Sequence, residues 1–100
     1  MDVRAVINAT NVYQTKGVCD KVARNEKFQK EVASALYKKF MEGDWGEVCT
    51  EDSVANDEAL LRFERVIGSY YTSEGEIWII AESEDGKKYT TITVLFPYEY

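Results

Sequence analysis

One hundred residues, 45% hydrophobic and 13% aromatic, make a single domain over residues 1–100 with one modest core, and argue against a disordered chain. The net charge of −6, from 18 acids and 12 bases, argues against a general nucleic-acid binder, which needs a basic face for phosphates, and is compatible with a basic protein partner. The charge is uneven: residues 1–41 hold 8 bases and 4 acids, net +4, and residues 42–100 hold 4 bases and 14 acids, net −10.

Met1-Asp2-Val3-Arg4 does not open an apolar signal segment, and no apolar run approaches the roughly 20 residues of a membrane span. The expected setting is therefore cytoplasmic, with no membrane partner, and Cys19 and Cys49 read as reduced thiols.

Along the chain, residues 2–9 carry Val3, Val6 and Ile7 and read as an edge strand. Asn11 to Gly17 reads as a loop or turn, with Thr15 capping a short helix through Arg24. Residues 26–41 give the clearest helix. Phe28, Val32, Leu36 and Phe40 recur every four residues, Lys27, Lys30, Glu31, Lys38 and Lys39 lie opposite, Asn25 stands at the N-cap and Gly43 at the stop. Gly43-Asp44-Trp45-Gly46 reads as a tight turn anchored by its indole.

Thr50 then caps a helix over 51–61, with Glu51 and Asp52 in the first turn and Val54, Leu60 and Leu61 buried. Strands follow at 63–71, 76–83 and 88–96, joined by Thr72-Ser73-Glu74-Gly75 and an Asp85-Gly86 hairpin. The middle strand is apolar on both faces and so expects cover on both. In the last, Thr90, Ile92, Val94 and Phe96 share one face, Tyr89, Thr91, Thr93 and Leu95 the other, and Pro97 ends it. The expected fold is α+β: N-terminal helices packed on one face of a C-terminal three-stranded antiparallel meander, with an N-terminal edge strand.

Several chemistries lack their residues. There is no histidine, no Cys-x-x-Cys pair, no phosphate-binding glycine loop and no Gly-x-Ser-x-Gly elbow. No catalytic residue, cofactor site or metal site is assigned. Cys19, with Lys16 and Lys21 near it, is weighed as a reactive thiol against an ordinary small apolar residue. The one dense feature is acidic: Glu42, Asp44, Glu47, Glu51, Asp52, Asp57 and Glu58 fall within 42–58, which contains no lysine or arginine.

Three readings of that segment compete. The default is a solvated loop and helix start. The second is a surface for a basic partner, with carboxylates standing in for DNA phosphates. The third is a divalent-cation site, although the spacing matches no EF-hand loop. Paired-carboxylate hydrolysis has no sugar cleft to point to. Trp78 reads as core or half-covered, and Trp45 as turn anchor or interface centre. The tyrosines Tyr70, Tyr71, Tyr89, Tyr98 and Tyr100 read as sheet packing.

The order Gly43-Asp44-Trp45-Gly46, Asn56 with Ala59-Leu60, Ser69-Tyr70, Ile77-Trp78-Ile79-Ile80-Ala81-Glu82, Thr90-Thr91 and Leu95-Phe96-Pro97 with Glu99-Tyr100 resembles a family of short plasmid and mobile-element proteins of gut-type Firmicutes. The resemblance spans roughly residues 25–100. Where family members often carry a basic residue and histidine before the Gly-Asp-Trp-Gly turn, this chain has Lys39-Phe40. Where they often have a short Asp-Arg-Ser link, it has Glu84-Asp85-Gly86-Lys87-Lys88. The resemblance implies a setting, a mobile element in a bacterial cell, and no activity.

In that setting the expectation is a non-enzymatic interaction protein, an acidic inhibitor of a host nucleic-acid-binding defence protein of anti-CRISPR or anti-restriction type. Asp44, Trp45, Glu47, Glu51, Asp52, Asp57 and Glu58 are the expected partner-binding residues, without direct contact to nucleic acid. The alternative is a structural or regulatory homo-oligomer, an accessory protein of plasmid maintenance, joined through its sheet and tyrosines.

Overall fold

A computed structural model describes residues 2–9 and 11–100. The fold is α+β, and the meander is present within a larger sheet. Strands β2 (Val66–Thr72), β3 (Gly75–Glu82) and β4 (Thr91–Leu95) pair antiparallel in sequence, and a fourth strand, β1 (Asn11–Gln14), runs parallel to β4 at the edge. The order β1-β4-β3-β2 puts β3 and β4 inside a four-stranded mixed sheet.

The N-terminal edge strand therefore exists, but at residues 11–14 and not at 2–9. Val3 and Ile7, four residues apart, are both buried, a spacing that strand and helix share. Val3–Val6 forms a helical turn, α1, because the Asp2 carboxylate accepts the Arg4 N–H and the Val3 carbonyl accepts the Ile7 N–H. The segment read as loop holds β1, whose four residues are all exposed and so give no buried alternation to read.

Helix α2 (Lys16–Arg24) starts after Thr15, yet Thr15 does not cap it with its own hydroxyl. Its Oγ1 donates to Glu99 Oε1 at 2.5 Å, and Glu99 Oε2 accepts the Gly17 N–H at 2.9 Å. The C-terminal turn, Pro97–Glu99, thus supplies the carboxylate that meets the helix N-terminus. A Cβ at Gly17 would lie 2.9 Å from both Glu99 oxygens, so a larger residue there would push the carboxylate aside.

Helix α3 (Glu26–Ser34) is capped by Asn25, whose Oδ1 accepts the Phe28 N–H. It continues through a π turn, Ala35–Lys39, and a 3-10 turn, Phe40–Glu42. A strict repeat of four residues drifts off one face of an α-helix, which turns every 3.6. The wider π turn brings Phe40 back over the sheet beside Phe28, Val32 and Leu36, all buried. Gly43, at φ 82°, then ends the helix, its N–H reaching Phe40 and that of Asp44 reaching Lys39.

Pairing of Ser69 with Trp78 and of Trp78 with Leu95 places Ile67, Ser69, Tyr71, Glu76, Trp78, Ile80, Thr91, Thr93 and Leu95 on one face. Val66, Tyr70, Ile77, Ile79, Ala81, Ile92 and Val94 take the other face and join Phe28, Val32, Leu36 and Phe40 in the core. The helices α2 and α3 cover that second face. The first is covered differently: Tyr100 meets Trp78 edge-on at 5.5 Å, and Trp78 stays half-buried while Ile80 is buried. Tyr89 lies before β4 and turns into the core, its hydroxyl donating to the Glu64 carbonyl at 2.6 Å.

Candidate functional site

The acidic segment begins on a turn stitched to the outer edge of β2. Ser69 N–H donates to the Trp45 carbonyl at 2.9 Å, and Glu47 N–H donates to the Ser69 carbonyl at 2.7 Å, so Gly46 pairs with Ser69 as a parallel bridge. Gly46 sits at φ 75°, and a Cβ there would lie 1.9 Å from the Ser69 oxygen. The Tyr70 hydroxyl donates to the Asp44 carbonyl at 2.7 Å, and burial, then the Asp44 charge, pushes its pKa far up. Trp45 is 2% exposed, packs edge-on to Phe40 at 5.3 Å, and donates its indole N–H to Asp57 Oδ1 at 2.9 Å. Trp45 is therefore the turn's anchor. Its place among the partner-binding residues is corrected, since an indole in the core is not offered to a partner.

Helix α4 (Thr50–Leu60) follows, with Cys49, not Thr50, at the N-cap position and no side-chain cap. The expected apolar positions are also revised: Leu60 is buried, but Val54 and Leu61 are exposed, and Asn56 and Ala59 take the inner side. The reason lies in what α4 faces. It runs along the edge of β2, where backbone groups need polar partners. Asn56 Nδ2 donates to the Ile67 carbonyl at 2.8 Å and Asn56 Oδ1 accepts the Ile67 N–H at 3.2 Å. One amide side chain thus pairs with the strand as a neighbouring residue would.

Asp44, Glu47, Glu51, Asp52, Asp57 and Glu58 are all exposed. The ion pairs among the described residues are Arg4–Glu42, Lys21–Glu74, Lys30–Glu26 and Arg62–Glu64, so Glu42 alone of the seven acids has a cationic partner. The six do not form one flat array. Glu51 and Glu58, two helical turns apart, share a side of α4, Asp52 stands over Asn56, and Asp57 points to Trp45.

Asp52 and Glu47 look into an open cleft of ≈ 530 Å³ between α4 and the sheet face that α2 and α3 leave uncovered. Its lining includes Val48, Cys49, Ala55, Ile67, Arg65, Ser69, Glu76 and Trp78. Glu76 Oε2 accepts from Ser69 Oγ at 2.6 Å and from the Trp78 indole N–H at 2.9 Å. These hydrogen bonds, Ser69's first, hold the Glu76 carboxyl below the usual carboxylate range. Arg65 does not neutralise it: its guanidinium bonds the Tyr100 hydroxyl and lies over that ring at 5.7 Å from the centroid.

Among the described residues no three carboxylates or thiols come together as a metal-holding group. Cys19 and Cys49 are free and exposed. No helix of the described residues is long and apolar enough to cross a membrane. Glu76, Arg65 and Trp78 as a cleft escaped the sequence. The alternation Glu76-Ile77-Trp78 put the carboxylate and indole on one face, but nothing local showed that this face lacked a helical cover. Set against family models, curated proteins and solved structures, the chain finds no match in any of the three.

Proposed function

We propose that this chain is a non-enzymatic interaction module of a bacterial mobile element. In the host cytoplasm the carboxylates of its acidic turn and helix bind a basic, nucleic-acid-binding defence protein, in the manner of an anti-CRISPR or anti-restriction inhibitor. The observation that carries the reading is the set of exposed acids that have no cationic partner among the described residues, Asp44, Glu47, Glu51, Asp52, Asp57 and Glu58, on a turn and helix fixed to β2 by backbone and Asn56 hydrogen bonds. Carboxylates on a rigid support meet lysines and arginines with little ordering cost. The buried turn anchor leaves the carboxylates, and not Trp45, as the contacting groups.

The test is capture from host-type lysate at about 0.1 M and about 1 M salt, where the screening length falls from ~10 Å to ~3 Å. A quadruple variant, Glu47→Gln, Glu51→Gln, Asp52→Asn and Glu58→Gln, is the control. Capture of a nucleic-acid-binding protein by the wild type at low salt only, absent with the variant, supports the reading. Binding that survives both changes overturns it.

A second reading, a homo-oligomer, draws on one observation: β1 is an edge strand with Val12 47% and Tyr13 53% exposed. Self-association there would tolerate salt, and light scattering across the same salt range separates the two.

A further inference from the structure

The cleft beside α4 has a single built carboxylate at its floor. Glu76 is oriented through one oxygen, Oε2, by the Ser69 hydroxyl and the Trp78 indole, and its Oε1 takes no protein hydrogen bond among the described residues. Ser69 is itself buried, so the pair is fixed by the sheet and not by a flexible rim. Trp78 adds an aromatic wall, and Val48, Ala55 and Ile67 add an apolar one. Glu47 and Asp52 stand at the α4 side and Arg65 is engaged with Tyr100, so three carboxylates against one guanidinium leave the cleft net negative. The cleft, ≈ 530 Å³ and open to solvent, has room for one side chain.

We infer that this cleft receives one arginine side chain of the partner, its guanidinium on Glu76 and its alkyl stem along Trp78 and the apolar wall. A guanidinium suits both components: it donates a charge-assisted N–H to the one oxygen left open, Oε1, and packs on indole. A compact metal ion is not matched, because the cleft's carboxylates do not converge. The inference rests on the proposed reading of a basic partner and names the group that enters.

The experiment titrates the full chain with N-acetyl-arginine amide and, separately, with its neutral isostere N-acetyl-citrulline amide, following the two indole N–H resonances by NMR. The Trp78 signal should shift saturably with the arginine probe and not with citrulline. The Trp45 signal, bound to Asp57 inside the fold, should stay still. Glu76→Gln keeps one acceptor oxygen for Ser69 and Trp78 yet removes the charge and puts an NH2 donor at the open position, and should weaken the arginine probe at least about tenfold, the worth of one charge-assisted hydrogen bond. No saturable Trp78 shift, equal binding of citrulline, or full affinity in Glu76→Gln overturns the inference. If a basic partner is captured from lysate while the arginine probe leaves Trp78 unmoved, the cleft inference alone falls. If the probe binds while no basic partner is captured, the function reading falls and the cleft stands.

Discussion

Replacing Asn56 by alanine should unfold the edge of β2. The side chain is 8% exposed and makes two hydrogen bonds to Ile67, at 2.8 and 3.2 Å. A neutral hydrogen bond contributes about 1 kcal/mol net, and each backbone group left unpaired away from water costs about 1–3 kcal/mol. Ile67 is half-buried and borders the open cleft, so water recovers part of that cost. The expected loss is about 2–3 kcal/mol, or roughly 10–20 °C in Tm for a domain of this size. Asn56→Asp keeps the acceptor for the Ile67 N–H but sets a carboxylate against the Ile67 carbonyl, and should be no milder. Urea unfolding followed by tryptophan fluorescence gives the number, with Trp45 as the buried reporter. Exchange of the Ile67 amide should accelerate in parallel. A loss below about 0.5 kcal/mol, the range of ordinary surface changes, would refute the edge-closing role.

Gly46→Ala should be harsher, because φ 75° and a Cβ 1.9 Å from the Ser69 oxygen leave the turn no way to keep its bridge; a native-like circular dichroism spectrum and midpoint would contradict this. At low pH, Glu76 and Glu99 should both withdraw stability. Glu76 is held low by Ser69 and Trp78. At Glu99 burial opposes ionisation but is outweighed by the Thr15 hydroxyl and the Gly17 and Phe96 N–H groups. Folded values below the unfolded ones mean a contribution fully present above about pH 4.3 and lost as the pH falls through the folded values. Glu99→Gln should flatten the dependence of the urea midpoint below pH ~4, and an unchanged slope would count against the capping of α2. At high pH the sign reverses. Burial, with the Glu64 charge, pushes Tyr89 up to about 12, so its contribution is present below about pH 10 and lost as the pH rises through the folded value. Tyr89→Phe should remove part of that alkaline fall while costing about 1–2 kcal/mol at neutral pH through the Glu64 carbonyl it leaves unpaired, and a neutral-pH midpoint equal to the wild type's would contradict it.

The elements that were legible in the sequence are those with a long period or a special turn residue. Phe28, Val32, Leu36 and Phe40 announced the main helix, and Asn25 and Gly43 its ends, though not the π turn that a repeat of four requires. The three meander strands were legible in order and pairing, but β2 starts at Val66 and not Phe63, and β4 at Thr91 and not Lys88, because Asp85-Gly86 lies within an irregular connection over 83–90 and not in a tight hairpin. Short elements were not: β1 buries none of its four residues, and α1 is a single turn whose Val3 and Ile7 look equally at home in a strand. Helix α4 misled because its inner side is Asn56 and Ala59, chosen to serve a strand edge far along the chain, while Val54 and Leu61 face water. The same non-local logic hid the cleft. Glu76 and Trp78 line an open cleft only because α2 and α3 cover the other face of the sheet, and Tyr100 draws Arg65 aside.

The acidic segment was legible as composition, and the structure divides its labour. Trp45, Gly46 and the Asp44 carbonyl hold the turn, Asp57 holds the indole, and the exposed carboxylates of Glu47, Glu51, Asp52 and Glu58 have no ion-pair partner among the described residues. The most direct test of the central claim is elution of the captured partner from immobilised protein by duplex DNA at about 0.1 M salt, with the quadruple carboxamide variant alongside. A basic nucleic-acid-binding protein should be held by the wild type, released by DNA and absent from the variant. A partner that DNA does not displace, or that the variant retains, would contradict it.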